Sequence, residues 1–148
     1  MQEVKTILNK TITASIENLR EAVDFIENGA SSFNIEQNDL WKIRLASEEA
    51  IVNIIDHGKN PKGLISIRCH SCIEDKFYII ISDYGFHFDH FPHAYNVNNT
   101  KHTLSSLPIG NLGIKLIYSV MNEVYYLREN KKNILIMVKE VNNHAYLN

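Results

Sequence analysis

Three groups of residues in this 148-residue chain combine types and spacings that suit chemistry. The first lies in LASEEAIVNIIDHG, where Glu49, Asn53 and His57 recur every fourth residue. On a helix this spacing lays them along one stripe, each drifting by ~40° from the last. Ala46, Ala50, Ile51 and Ile54 are apolar, so the stripe borders a core. A carboxylate beside an amide oxygen suits a hydrated magnesium ion, which takes a few oxygen ligands plus water and phosphate. A solvated helix edge would carry the same residues. The second group, Asp83-Tyr84-Gly85, follows the apolar run FYIIIS. A carboxylate at the end of a buried strand is placed to accept a hydrogen bond from an amino group in a pocket, and the glycine lets a planar ligand approach the backbone. A plain Asp/Gly turn is the ordinary alternative. The third is Gly110-Asn111-Leu112-Gly113 at the start of a helical segment. Glycines there free backbone N–H groups to face phosphates, and the helix dipole favours the negative charge. The spacing matches neither the Rossmann nor the P-loop fingerprint, and an ordinary loop-to-helix junction would look the same.

The elements that must position these groups follow from periodicity and punctuation. Residues Glu3 to Ala14 read as extended, with Val4, Ile7, Leu8 and Ile12 as candidate core contacts. Ser15 caps a helix carrying Ile16, Leu19, Val23 and Ile26, and Gly29 ends it. Asn34 followed by Gln37 resembles a capping box and opens a longer helix with Leu40, Ile43, Leu45, Ala46, Ala50, Ile51, Ile54 and Ile55, stopping near His57-Gly58. A strand from Leu64 to Cys72 turns at Glu74-Asp75-Lys76 into the central strand FYIIIS. The polar stretch Asp83 to Pro108 has little periodicity and is long enough for a lid or a disordered segment. A helix from about Leu112 to Met121 follows, then EVYYLRE and NILIMVKEV as a hairpin around Asn130-Lys131-Lys132. The order β-α-α-β-β-lid-α-β-β predicts an α+β, two-layer sandwich: a mixed or antiparallel sheet covered on one face by about three helices. No repeat or linker-like tract divides the chain, so one domain over residues 1–148 is expected.

Bulk properties narrow the classes. A formal net charge of -2 argues against direct nucleic-acid binding, which needs a basic field. The N-terminal residues form no signal-peptide core, and no run approaches the ~20 apolar residues of a membrane span, so the cytoplasm is the expected location. Cys69 and Cys72 fall an odd number of residues apart on a strand, so they point to opposite faces and read as structural rather than as half a zinc site.

Taken in order, helix stripe, strand-end Asp-x-Gly, long lid and Gly-rich helix start resemble the layout of the GHKL (histidine-kinase-like) ATPases. More closely, the stretch around Glu49, Asn53 and His57 resembles the Glu-Ala-x-x-Asn-x-x-x-His box of the anti-sigma-factor serine kinases. ISDYGFHFD resembles their Asp-x-Gly box, and GNLGIKLIYSVMNEVYY their glycine-rich helix and next strand. NKKNILIMVKEV is similar to their last hairpin, with Asn133 and Lys139 at matching places. The resemblance covers roughly residues 34–141. It implies the Bergerat-type ATP-binding fold with ATP and Mg2+ as cofactors. It implies Glu49 as general base, Asn53 as holder of the magnesium, and Asp83 as acceptor for the adenine amino group with Gly85 beside the ring. Gly110, Asn111, Leu112 and Gly113 would bring backbone amides to the phosphates, Lys101 and Lys115 are the cations for phosphate contact, Asn133 completes the nucleotide-binding set, and His57 braces the helix end. His87 stands where many members have a second glycine, and Asn122 replaces a usual aspartate.

The activity implied is serine/threonine phosphorylation of an anti-sigma-antagonist (STAS) partner, with sequestration of a sigma factor or similar regulator, in a chain that dimerises through its sheet. A non-catalytic nucleotide-sensing switch of the same fold is the alternative. A separate reading comes from His87, His90, His93 and Asp89, which could ligate zinc or nickel if their loop converged, Pro92 excluding a helix. Tyr118, Tyr125, Tyr126 and Tyr146 suggest a contact surface, and packing explains the first three equally well.

Overall fold

The computed structural model describes residues 4–57, 63–72, 75–86 and 112–140. Five strands, β1 (Val4–Thr13), β2 (Leu64–Cys72), β3 (Lys76–Asp83), β4 (Glu123–Glu129) and β5 (Lys132–Glu140), form one sheet in the order β1-β2-β3-β5-β4. Every hydrogen-bonded pair is antiparallel, so the mixed form of the expected sheet is not found. The crossover does leave β3 and β4 pointing the same way, but β5 lies between them and pairs with both.

Three helices, α1 (Leu19–Ser32), α2 (Gln37–His57) and α3 (Leu112–Val120), pack on one face with α2 against both others. Side chains alternate along each strand. Ile65, Ile67 and Cys69 of β2, Phe77, Ile79 and Ile81 of β3, and Leu135 and Met137 of β5 are buried. They meet Val23 and Ile26 of α1, Ile43, Ala46, Ala50 and Ile51 of α2, and Ile114 and Ile117 of α3 in one core. Tyr118 and Tyr126 are buried too, so packing accounts for them. The same alternation turns Ile7 outward, 51% exposed, against its expected core role. Ile16 is likewise exposed, because Ser15 caps a 3-10 turn (Ile16–Asn18) rather than the helix itself.

Two helix boundaries differ from expectation for one reason. Gly29 does not end α1; it is buried within the helix, where an added Cβ would come within 3.2 Å of Leu8 Cδ1 on β1. Its small size lets helix and strand approach, and no left-handed turn occurs there. The left-handed residue is Asn34, with φ 61°, which closes α1 instead of capping α2. The backbone N–H groups of Asp39 and Leu40 donate to Glu36 O as α2 begins.

The β4–β5 hairpin turns on two residues, Asn130 and Lys131, both left-handed at φ 53° and 65°. That is the two-residue geometry whose twist matches the strands, and it places Lys132 in β5, opposite Glu129. Lys139 is buried, and its Nζ donates to Val120 O at 2.7 Å, closing the C-terminus of α3 with a positive group. Asn122 Oδ1 accepts from Glu140 N at 2.8 Å, so the residue that departs from the family pattern ties the α3–β4 junction to β5.

Candidate functional site

Asp83 is the last residue of β3, and its carboxyl is buried at the end of an apolar strand. Oδ2 accepts from Gly85 N–H at 2.8 Å and from Asn133 Nδ2 at 3.4 Å, and no described residue donates to Oδ1. Burial pushes the carboxyl above its ordinary range; the Gly85 and Asn133 bonds and the field of Arg128 oppose that rise. Asp83, Tyr84 and Gly85 line a depression together with Ile54 of α2 and Ala14, Gly63 and Leu64. One wall is therefore apolar helix and the other is a strand-end carboxylate with a buried glycine, groups whose chemistry suits a flat ring bearing an amino group.

Glu49 and Asn53 lie one turn apart on α2, both half-buried. Glu49 reaches the start of α3: a Cβ added to Gly113 would overlap Glu49 Oε2. The helix-stripe carboxylate and the glycine-rich helix start, 64 residues apart in sequence, thus meet without any room for a side chain between them. The N–H groups of the first turn of α3 have no intrahelical acceptor, so this end of the helix suits an anion. Leu112 is 68% exposed at that end, and Lys115 is half-buried on the same helix. Gly110, Asn111, Lys101, the side chain of His57, and the histidines at 87, 90 and 93 lie outside the described residues.

Asn53 Nδ2 is buried and has no hydrogen-bond partner among the described residues. A buried amide without a partner is costly unless something else holds it. The unmet group is a donor, so it calls for an acceptor such as a phosphate or water oxygen, and it leaves the amide oxygen open to a hydrated cation. No group of three or more His, Cys, Asp or Glu suited to a metal occurs among the described residues, so magnesium would depend on Asn53, water and phosphate oxygens rather than on a protein cage. Cys69 is buried with its thiol pushed up to about 12 by desolvation, which leaves it inert at neutral pH.

Two residues not foreseen for this role, Arg128 and Tyr126, stand behind the pocket. Asn133 of β5 pairs with Asp83 on one side and with Arg128 of β4 on the other. Arg128 Nη1 donates to Asn133 Oδ1 at 2.7 Å and to Gly85 O at 3.1 Å, and the Tyr126 hydroxyl donates to Asn133 Oδ1 at 2.6 Å. Asn133 is therefore a brace behind Asp83. The sequence signal was the two-residue turn at Asn130-Lys131, which sets Arg128 opposite Asn133; counting Lys132 in the turn hides that pairing.

The sequence model of the histidine kinase-like ATPase domain matches residues 12–139. The chain belongs to the histidine kinase-like ATPase family. Within the family it falls in the anti-sigma-factor serine kinase branch. It is 30% identical over 117 residues to the serine-protein kinase RsbW of Bacillus velezensis, a match covering 76% of this chain and 72% of that one. It is 28% identical over 134 residues to RsbW of Staphylococcus aureus, covering 87% and 84%. The fold is similar to the crystal structure of the RsbU and RsbW domains of a Mycobacterium tuberculosis protein, with a TM-score of 0.68 at 14% identity. That match covers 93% of this chain and 33% of the longer one. The helix stripe, the Asp-x-Gly strand end and the start of α3 in this ATPase-family member are the groups brought together around the Ile54–Asp83 depression and the Glu49–Gly113 contact.

Proposed function

We propose that this chain is an ATP-dependent serine/threonine kinase that phosphorylates a STAS-domain partner and sequesters a sigma factor or similar regulator. The observation that carries this reading is the contact between Glu49 and the start of α3 beside the Asp83 pocket. It supports a carboxylate standing where a γ-phosphoryl group on the helix N-terminus would meet an incoming hydroxyl.

In this mechanism Asp83 Oδ1 accepts a hydrogen bond from the exocyclic amino group of adenine, and Ile54 and Gly85 hold the ring between them. Backbone N–H groups at Gly110 to Gly113 hold the phosphates, with Lys115 as the cation near them. Glu49 orients the partner's serine or threonine hydroxyl and takes its proton as the oxygen attacks the γ-phosphorus, and ADP leaves with the bridging oxygen. Bound through Asn53 and water, Mg2+ would neutralise the charge that develops on the transferred group. His57 braces the end of α2.

The remaining expectations belong to the same reading. One domain spans residues 1–148, and the protein works in the cytoplasm without membrane or nucleic acid; among the described residues no helix is long and apolar enough to cross a membrane. A homodimer forms through the sheet face away from the helices, where Tyr78, Ile80, Ile134 and Ile136 are half-buried and Leu127 is 38% exposed.

The test is transfer of labelled γ-phosphate to a purified STAS domain, with the modified residue mapped by mass spectrometry. The wild type should phosphorylate one serine or threonine, and Glu49→Gln should bind ATP but transfer nothing. ATP binding with no transfer by the wild type to any STAS candidate would leave a nucleotide-sensing switch in place of a kinase.

A further inference from the structure

Asp83, Asn133 and Arg128 stand side by side on β3, β5 and β4, the register pairing each with the next. An arginine offers donors only. The Asn133 atom that meets Arg128 Nη1 at 2.7 Å and the Tyr126 hydroxyl at 2.6 Å is therefore the carbonyl oxygen. With Oδ1 held by two donors the amide cannot turn over, and Nδ2 must face Asp83 Oδ2, Gly85 O and Phe86 O, at 3.4, 3.3 and 3.0 Å. The same arginine nitrogen also holds Gly85 O, the backbone on which Asp83 rests. Both donors to Asp83 thus fall on Oδ2, and both favour the ionised carboxylate.

We propose that Arg128, with Tyr126, is the positioning residue that locks the Asn133 amide so that Asp83 presents only an acceptor, and that this lock makes the site select a 6-aminopurine nucleotide over a 6-oxopurine one. The inference rests on the nucleotide site proposed above. An amino group donates to an ionised carboxylate. In the pose that sets the 6-substituent on Asp83, a 6-oxo group would put two acceptors against each other, a conflict that a proton on Asp83 relieves.

The arrangement of charge supports the lock. Arg128 of β4 is the charged group whose field acts on Asp83. The α2 side of the pocket presents Ile54, the β2 side presents Gly63 and Leu64, and Lys132 of β5 lies 5.9 Å from the centre of the Tyr84 ring. Burial already pushes the Asp83 carboxyl upward. Removing Arg128 takes away the opposing field and one of the two donors that hold Asn133 Oδ1. Asp83 then protonates at a higher pH, so ATP affinity falls at a higher pH as the solution is acidified. A protonated Asp83 can donate to a 6-oxo group, so discrimination falls as well.

The experiment titrates Mg-ATP and Mg-ITP into the wild type, Arg128→Met, Arg128→Lys and Tyr126→Phe across the weakly acid to neutral range, with thermal unfolding as the check on folding. The wild type should prefer ATP. Arg128→Met should lose at least about tenfold of that preference, equivalent to about 1.4 kcal/mol at 25 °C, and its ATP affinity should decline at higher pH than the wild type's. Arg128→Lys keeps the charge and should restore part of both properties. If Arg128→Met does not fold, Tyr126→Phe carries the same test with a smaller change in the same direction. Unchanged preference and an unchanged pH profile in a folded variant overturn the inference, as does an equal loss of ATP and ITP with the pH profile intact. Those results leave the nucleotide site standing. A wild type that binds neither nucleotide at millimolar concentration overturns the site and the inference together.

Discussion

Replacing Asp83 by asparagine separates binding from stability more sharply than any other single change at this site. Asparagine keeps the shape of the side chain, but one of its two terminal atoms becomes a donor. The Oδ2 position already receives Gly85 N–H at 2.8 Å and Asn133 Nδ2 at 3.4 Å, so an amide nitrogen there would face two donors. The new side chain must therefore place its oxygen at that position and its nitrogen where Oδ1 stood, which is the position that receives the adenine amino group. The acceptor for the ligand becomes a donor. Losing one hydrogen bond to a charged group costs about 1.5–3 kcal/mol, or about 10- to 150-fold in Kd, before the donor–donor conflict is added.

Stability should move the other way. The folded-state carboxyl is raised above its ordinary range, chiefly by desolvation. Its contribution to stability is therefore present at acid pH and lost as the pH rises through the raised value, so at neutral pH the ionised Asp83 is a burden on the apoprotein. Asp83→Asn should melt no lower than the wild type at neutral pH while losing Mg-ATP affinity by the factor above. In the wild type, ATP affinity should fall as acid protonates Asp83. Calorimetric titration beside a thermal melt reads both quantities. An Asp83→Asn protein that binds ATP within a few-fold of the wild type refutes the assignment. One that melts many degrees lower refutes the account of the buried charge.

Three further changes test neighbouring parts of the structure. Gly113→Ala puts a methyl group onto Glu49 Oε2 and should displace that carboxylate, at little cost in denaturant unfolding because only the end of a flexible side chain has to move, while abolishing transfer; a fully active variant would mean that Glu49 does not need its place beside α3. In a Cys72→Ala background, the buried Cys69 thiol should resist a disulfide-exchange reagent in the native protein and react only when denaturant unfolds it, and rapid native reaction would contradict its burial. Arg44 of α2 donates to Asp24 and Glu27 of α1 with 38% of its side chain exposed; Arg44→Ala should cost at most about 1 kcal/mol, and the loss should shrink in high salt. A salt-independent loss of several kcal/mol would instead place the Arg44 stem in the packing between the helices.

The candidate site residues were legible in the sequence where their relation was local. Glu49 and Asn53 announce themselves by a four-residue spacing, and Asp83 by its place at the end of an apolar run. Arg128 and Tyr126 were not legible, because their meaning depends on which residue lies across the strand pair, and one residue's error in the hairpin turn moves every partner to the other face. Gly29 misled because a glycine serves close approach as well as left-handed turns; the small residue near the end of α1 answers to Leu8 on β1, which no local pattern reveals. The choice between a mixed and an antiparallel sheet stayed open for a similar reason. The crossover through α3 suggests parallel neighbours, and only the insertion of β5 between β3 and β4 keeps them apart.

The most direct test of the central claim is an experimental structure with Mg-ADP bound, solved beside the apoprotein. The adenine amino group should lie on Asp83 Oδ1, the ring between Ile54 and Gly85, the phosphates at the start of α3, and Asn53 on the hydration shell of the magnesium. Nucleotide bound elsewhere on the chain, or none at millimolar concentration, would contradict it.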